Sequence, residues 1–256
     1  MRKLLFGFLL VLWLMPAHAA EAPDADVETQ RRDYQAALAA LRARDLARYQ
    51  KLYAELEGYA LQPYVQYEFL KDRVESARAA TLHQFLEQND HTPLAQALRA
   101  RWLHSLASRG DWKTFMAEYS DIPDEPELLC LHLGRRLKAG QQQAGLMARI
   151  DRLWLTGKRL PGACEPVFAA WRKAGHMTAD KVWERIRLAM EARNVSFAGE
   201  LVHFLPPKEQ PWVRRWQAMY RDPVAELDAI NYRLDTPVAR QIVKHGIVRL
   251  AYRDPE

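Results

Sequence analysis

The sequence predicts an all-α protein in which helical hairpins repeat along the chain and stack into a superhelix. Residues that favour helices dominate, apolar side chains recur at helical spacing, and glycines end these apolar stripes at similar intervals. Runs of β-branched residues are nearly absent. The pattern is typical of an α-solenoid of the tetratricopeptide type, for which we expect a curved half-ring.

The N-terminus has the three parts of a secretory signal peptide. Basic residues 2–3 precede an apolar run of 12 residues at 4–15, and the small residues Ala17 and Ala19 follow. We expect cleavage after Ala19, so that residues 1–19 are the signal and the mature protein is soluble and exported. As a helix the run would rise only about 18 Å, against a hydrocarbon core of roughly 30 Å, so no transmembrane segment is predicted.

The mature chain is expected to begin with a short leader and to continue as one helical domain. Residues 20–27 are small and acidic, which predicts a disordered leader. Residues 28–256 contain no flexible linker, since their proline-rich points are short turns between helices.

The first hairpin is visible in two apolar stripes. The stripe at residues 34–41 follows the i, i+3, i+4, i+7 spacing of a buried helix face, and Arg44 and Asp45 interrupt it. A second stripe occupies residues 46–56. The pair predicts two antiparallel helices.

Later stripes end at Gly110, Gly140 and Gly175, which are 30 and 35 residues apart. Glycine just past an apolar stripe is the usual left-handed terminator of a helix, and asparagine tolerates the same conformation. Asn194 is expected to end another stripe in this way. A repeat of this length predicts helix pairs that bury their apolar faces only against neighbouring pairs.

The last residues predict one helix and the beginning of another. Residues 238–252 form the final amphipathic stripe, and residues 253–256 supply an N-cap aspartate, a first-turn proline and an acidic residue. Because they begin a helix, we expect the chain to be truncated at the start of its next unit.

The charge is mildly basic, with 37 Lys and Arg against 32 Asp and Glu and a net charge of +5. Loss of residues 2–3 with the signal leaves 35 basic residues and a net charge of +3. Because the basic residues are dispersed among acids and the protein is exported, no nucleic-acid binding is predicted. A solvated surface explains the balance best, and an anionic envelope polymer or membrane surface is the alternative.

Motifs that would carry chemistry are absent from the sequence. None of the 8 histidines forms His-Glu-x-x-His or pairs at i, i+4, and no nucleophile elbow or phosphate-binding glycine loop occurs. We therefore predict no catalytic, cofactor-binding or metal-binding residue. The 8 Trp and 10 Tyr could form stacking platforms for sugars, but their helical spacing favours a role in the repeat core.

The only two cysteines are Cys130 and Cys164. In a cytosolic protein such a pair is expected to be two buried thiols. In an exported protein the pair is typical of a disulfide, and the signal peptide favours this second interpretation.

Three stretches of the chain resemble the soluble lytic transglycosylase family, specifically its N-terminal helical domain. The first is residues 59–68, YALQPYVQYE; the second begins at residues 153–158, LWLTGK, and continues through Cys164 and Trp171 to Gly175; the third is residues 184–190, ERIRLAM, with Asn194. Their order and spacing match the family from about residue 27 to the end. The resemblance also places Cys130 and Cys164 at the positions of a family cysteine pair.

The resemblance implies a periplasmic ring of helices that precedes a linker and a lysozyme-like catalytic domain. In the family that domain cleaves peptidoglycan glycan strands to 1,6-anhydromuramyl products, with one glutamate as acid and then base. The family's catalytic motifs are not matched here. Glu75-Ser76 is followed by the wrong residues and is expected within a helix face, and residues 145–147 (Gly-Leu-Met) lack the glutamine that should follow.

We therefore predict the non-catalytic helical scaffold domain of a periplasmic lytic transglycosylase, with peptidoglycan glycan strands as its partner and other cell-wall enzymes as further candidates. The alternative is a stand-alone periplasmic adaptor of the tetratricopeptide type that binds proteins. The alternative accounts for the repeats and the signal, but not for the resemblance around residues 153–175.

Overall fold

The computed structural model describes residues 25–140, 144–227, 232 and 235–253. Within these ranges the chain forms fourteen α-helices and no β-strand. In chain order the helices are α1 Ala25–Arg42, α2 Leu46–Glu55, α3 Gln62–Lys71, α4 Ala79–Gln88, α5 Pro93–Ser108, α6 Trp112–Glu118, α7 Pro126–Lys138, α8 Ala144–Trp154, α9 Glu165–Lys173, α10 Ala179–Glu191, α11 Val195–Glu200, α12 Gln210–Arg221, α13 Pro223–Leu227 and α14 Pro237–Arg253. Short 3₁₀ helices occupy Gly162–Cys164 and Leu201–Phe204.

Some of the predicted segments lie outside the described residues. These are the signal peptide at residues 1–19, the first five residues of the leader, and the helix start beyond residue 253. The structure places residues 25–27 of the predicted leader in α1, so the boundary at residue 28 falls inside a helix.

The first predicted hairpin is confirmed, with its turn at the expected residues. α1 ends at Arg42 and α2 begins at Leu46. Asp45 is the N-cap of α2, because its carboxylate accepts a hydrogen bond of 3.0 Å from the main-chain N–H of Arg48. Arg44 takes the left-handed conformation at φ 59°.

The three glycine terminators are confirmed, and the asparagine terminator is wrong. Gly110, Gly140 and Gly175 have φ of 73°, 75° and 80°. After α10, however, Arg193 takes the left-handed conformation at φ 61°, and Asn194 has φ −87° as the N-cap of α11. The side chain of Asn194 is used instead in a contact with a preceding loop, which is described below.

The described chain divides into two compact units, one ending at Leu98 and the other beginning at Arg99. In the first unit α1 packs against α2 and α3. Its apolar core includes Ala37, Tyr49 and Val65.

In the second unit each helix packs mainly against its neighbours in the chain. α7 contacts α8 and α9, α10 contacts α11, and α12 contacts α13 and α14. One apolar core follows this series from α7 to α14, including Leu133, Ile150, Trp171, Ile186, Trp216 and Ile242. For the described residues the predicted all-α class is confirmed, and the sequential packing is that of a superhelical domain.

Candidate functional site

Two of the three family-like stretches meet in the core of the second unit. Trp154 is the last residue of α8, Phe168 and Trp171 lie on α9, and Arg185 lies on α10. The ring centroid of Trp154 is 5.1 Å from that of Phe168 and 5.4 Å from that of Trp171. The guanidinium carbon of Arg185 lies 4.1 Å from the Trp154 centroid. Residues that are separate in the sequence therefore form one cluster.

Hydrogen bonds fix the two indole rings of this cluster. Trp154 is 2% exposed, and its Nε1–H donates to the main-chain oxygen of Lys181 at 3.0 Å. The Nε1–H of Trp171 donates to Oδ1 of Asp151 at 2.8 Å. Lys181 Nζ donates to the same Asp151 oxygen at 2.7 Å. Both indole N–H groups are thus satisfied, as buried tryptophans require, and α8, α9 and α10 are held together.

The loop after α8 lies directly against the end of α10. A Cβ added to Gly157 would overlap the main-chain oxygen of Leu188, so this approach requires glycine. The side-chain amide of Asn194 donates to the Gly157 carbonyl oxygen at 2.7 Å. This contact explains why Asn194 does not serve as the left-handed terminator of α10.

Cys130 on α7 and Cys164 in the 3₁₀ helix that precedes α9 are bonded in the structure as a disulfide. Their Cα atoms are 4.8 Å apart, within the normal range for such a bridge, and both residues are buried. The disulfide joins α7 to the start of α9, beside the aromatic cluster.

Arg185 is a buried cation enclosed by aromatic rings. The residue is 4% exposed, and its guanidinium carbon lies 5.3 Å and 5.0 Å from the ring centroids of Phe168 and Phe197, in addition to Trp154. Within the described residues its Nε–H has no hydrogen-bond partner. Burial lowers the pKa of Arg185 to about 10, while the charge of Glu165 acts in the opposite direction. The guanidinium therefore remains charged at neutral pH.

Arg185 lines a cavity of about 390 Å³, which we name the Arg185 pocket. Its wall includes Trp154, Cys164, Phe168, Arg185, Phe197, Leu201 and Phe204, and its rim includes the exposed residues Arg159, Glu165, Arg172, Glu200 and His203. Leu160, Pro161 and Gly162 complete the lining. At the rim Arg159 forms an ion pair with Glu200. The guanidinium carbon of Arg172 lies 5.2 Å from the ring centroid of Phe204. The pocket is apolar inside and charged at its opening.

Arg185 is a site residue that the sequence patterns alone did not single out, although its position held a signal. Val182, Ile186 and Ala189 form the buried stripe of α10, and Arg185 falls on that stripe, three residues after Val182 and four before Ala189. An arginine at such a position is predicted to be buried, and buried charges require partners.

The residues that resemble catalytic motifs have other positions in the fold. Glu75 lies in an exposed turn between α3 and α4, so its expected position on a helix face is wrong. Leu146 and Met147 are buried core residues of α8.

The first family-like stretch, residues 59–68, lies in the first unit. It contributes Val65 to the core, and the ring of Tyr59 lies 6.1 Å from that of Tyr34. This stretch has a packing role.

The pKa is lowered at Asp111, Asp121, Glu184 and Asp235. Burial raises the pKa of Asp121, but hydrogen bonds from Tyr119 and Arg149 outweigh it. At the other three, hydrogen bonds to the charged form are the main cause of the lowered pKa. A general acid at neutral pH needs the opposite shift.

Metal-ligand clusters and membrane-spanning helices are both lacking from the described ranges. No cluster of three or more His, Cys, Asp or Glu residues there could hold a metal ion. None of the helices described is both long and apolar enough to cross a membrane.

A curated relative is similar to this chain over most of its length. The soluble lytic murein transglycosylase of Salmonella typhimurium is 30% identical over 239 residues, which are 93% of this chain. The chain is homologous to the soluble lytic murein transglycosylases. The soluble lytic murein transglycosylase of Escherichia coli K12 is 29% identical over 201 residues, or 78% of the chain.

Solved structures of soluble lytic transglycosylases are similar to this chain in both fold and sequence. An inactive mutant of the Pseudomonas aeruginosa lytic transglycosylase Slt superimposes with a TM-score of 0.70 at 36% identity, over 88% of this chain and 36% of that one. The 70 kDa soluble lytic transglycosylase of Escherichia coli gives a TM-score of 0.69 at 28% identity, over 89% of this chain and 37% of that one. The chain thus spans 37% and 31% of the length of the two curated relatives named above.

One family model, described as Cucumovirus coat protein, matches residues 137–229. The match covers 93 of the 256 residues, which is less than half of the chain. It leaves out residues 59–68 and most of the length shared with the transglycosylases. The similarity to the transglycosylases covers more of the chain.

Proposed function

We propose that this chain forms the N-terminal helical scaffold domain of a periplasmic soluble lytic transglycosylase. Such an enzyme cleaves the glycan strands of peptidoglycan to 1,6-anhydromuramyl products. The helices would shape an enclosure for the glycan and position the catalytic domain, and the chain itself would contribute no catalytic residue. The observation that carries this proposal is the homology to the Salmonella typhimurium soluble lytic murein transglycosylase. The matched region covers 93% of this chain and 37% of that protein.

The electrostatics of the described residues support a scaffold role. A lytic cleavage needs a carboxyl group that is protonated near neutral pH, and burial is the usual way to raise its pKa. The pKa values of Asp111, Asp121, Glu184 and Asp235 are lowered instead. The charged side chain that lies among the aromatic rings of the second unit is Arg185, and the other residues there belong to the apolar core.

The proposal includes export. Residues 1–19 would be removed as a signal peptide, and after a short leader the helical domain would begin with α1 at Ala25. The aromatic cluster and the disulfide partners lie in the part of the chain that would then enter an oxidising compartment.

An activity measurement on isolated sacculi tests the non-catalytic part of the proposal. Purified mature chain is incubated with sacculi, and the soluble products are separated by mass-detected chromatography. A complete soluble lytic transglycosylase, assayed in parallel, releases anhydromuropeptides, and we expect this chain to release none. Release by the chain alone would show that it carries its own catalytic residues.

The alternative of a protein-binding adaptor makes a different prediction. An adaptor would retain a stoichiometric protein partner from periplasmic extract and would show no affinity for sacculi. A scaffold domain of a transglycosylase is expected to sediment with sacculi in the absence of any other protein. The two functions are therefore separated by which ligand accompanies the purified chain.

A further inference from the structure

We propose that the Arg185 pocket binds a monoanionic carboxylate carried on a small apolar or ring-shaped group. The proposal stands on the pocket itself and does not depend on the proposed scaffold function. It assigns a ligand class to a cavity that is built around a buried cation, four aromatic rings and a charged rim.

Arg185 has hydrogen-bonding capacity that the protein does not meet. A guanidinium presents five N–H donors and no acceptor. The structure gives Arg185 no hydrogen bond and no ion pair to the described residues, and its Nε–H is buried without a partner. A buried guanidinium of this kind is stabilised when a ligand in the cavity accepts hydrogen bonds from its terminal N–H groups. Aromatic rings offset part of the cost of burial but accept no conventional hydrogen bond.

Glu165 does not supply the missing partner. Its carboxylate is exposed, and it acts on Arg185 only through space, where its charge partly opposes the effect of burial. The cation is therefore desolvated on three sides by Trp154, Phe168 and Phe197 and faces the cavity on the remaining side. A carboxylate in the cavity can accept two parallel N–H bonds from such a planar group.

The charges at the rim favour a single negative charge on the ligand. Arg159 and Glu200 neutralise each other in their ion pair. Arg185, Arg172 and Glu165 then leave one net positive charge around the pocket. A carboxylate balances that charge, whereas a dianionic phosphate would add a surplus charge beside the two rim glutamates.

The walls and size of the pocket indicate what the carboxylate is attached to. The volume of the pocket, about 390 Å³, lies at the lower end of the range for small-molecule sites. Phe204, Leu160 and Leu201 supply apolar wall. A short acylated amino acid or a sugar acid fits this combination. These two sources share the same carboxylate chemistry, and separate probes distinguish them.

The test measures binding of benzoate and of its neutral analogue benzamide to the mature chain and to two variants. Arg185→Met removes the guanidinium and keeps an apolar stem of similar length. Arg187→Met is the matched control, because Arg187 lies on the same helix, pairs with Glu184 and Glu191, and does not line the pocket. Each protein is titrated in a thermal-shift assay and by calorimetry.

We expect benzoate to bind the parent chain and the Arg187→Met control and to raise their melting temperatures. Affinity for Arg185→Met should fall by about tenfold to a hundredfold, the range for loss of a charged hydrogen bond. Benzamide should bind at least about tenfold more weakly than benzoate, because it offers no negative charge to the guanidinium. Equal binding of benzoate to Arg185→Met and the parent, or equal binding of benzamide and benzoate, would overturn the proposal.

A measurement on the parent chain keeps the proposal testable if Arg185→Met does not fold. In a ¹⁵N-labelled chain the Arg185 Nε–H resonance should shift with benzoate at a concentration at which benzamide leaves it in place. An Nε–H signal that is unmoved by saturating benzoate would overturn the proposal. N-acetylalanine and N-acetylmuramic acid are then compared by the same signal, and the one that moves it at lower concentration identifies the source of the carboxylate.

Discussion

The side-chain amide of Asn194 donates a hydrogen bond of 2.7 Å to the carbonyl oxygen of Gly157, 37 residues earlier in the chain. The bond joins the loop after α8 to the turn between α10 and α11, and so connects two stretches by which the chain resembles its relatives. Asn194 makes no capping bond to α11, although it occupies the N-cap position. Its amide therefore serves tertiary packing.

Asn194→Asp is predicted to destabilise the protein by about 1–3 kcal/mol, because the carboxylate cannot donate to the Gly157 oxygen. The substitution keeps the size of the side chain and is favourable at an N-cap, but it replaces the donor with a charged acceptor that faces the Gly157 oxygen. Urea denaturation with a shared m-value measures the difference. An unchanged unfolding midpoint would show that the bond contributes nothing.

Gly157→Ala is predicted to cost about 1–3 kcal/mol through overlap of the new methyl group with the Leu188 carbonyl. Gly145→Ala on α8 is the matched control, because a Cβ there meets nothing within 4 Å. The control should be neutral or slightly stabilising, since alanine favours helix. Equal melting temperatures for the two variants would contradict the close approach at Gly157.

The bond between Cys130 and Cys164 is predicted to stabilise the exported protein by about 3–4 kcal/mol, as the loop-entropy model gives for a loop of this length. Intact mass without reductant should be two hydrogens lower than with reductant. The Cys130→Ser/Cys164→Ser variant should unfold at lower urea concentration. Two free thiols in protein recovered from the periplasm would contradict the predicted bridge.

His132 gives a pH dependence whose sign follows from its surroundings. Burial, with the charges of Arg149 and Arg136, lowers the pKa of His132 from 6.5 to about 4, while Asp121 opposes this. Between these values the unfolded chain binds more protons than the folded one, so folding stability falls as the pH drops from 6.5 to about 4.

His132→Gln should reduce this loss of stability, because glutamine does not titrate. The measurement is the urea midpoint of both proteins across the interval from neutral pH down to the lowered pKa of about 4. Below that pH the contribution of His132 should level off. Parallel pH profiles for the parent and the variant would show that His132 is not the group responsible.

The proposed export predicts a defined N-terminus. Protein recovered from the periplasm of an expression host should begin at Ala20, because Ala17 and Ala19 are the small residues before the cleaved bond. Ala19→Arg should leave the precursor unprocessed. A mature protein that still begins at Met1 would contradict the assignment of the signal peptide.

The helices and their turns can be predicted from the sequence because they depend on local chemistry. Gly110, Gly140 and Gly175 take the left-handed conformation as expected, since glycine has no Cβ to oppose it. Arg193 takes the same conformation although its Cβ atom disfavours it. The contact between Asn194 and Gly157 determines which residue of that turn takes the left-handed conformation. This contact joins residues that are far apart in the sequence, so the apolar pattern of α10 does not reveal it.

The Arg185 pocket is harder to predict for a similar reason. The place of Arg185 on the buried stripe of α10 is visible in the sequence, but its aromatic neighbours are not. Phe168 and Trp154 lie 17 and 31 residues before it, on two other helices. Only the packing of α8, α9 and α10 brings these rings around the guanidinium.

Sedimentation with isolated sacculi tests the scaffold proposal most directly. Mature chain is mixed with purified sacculi and centrifuged, and the protein in the pellet is quantified against a control without sacculi. We predict that the chain pellets with the peptidoglycan and that soluble glycan strands compete with this binding. A chain that stays in the supernatant at every sacculus concentration would contradict the proposed contact with peptidoglycan.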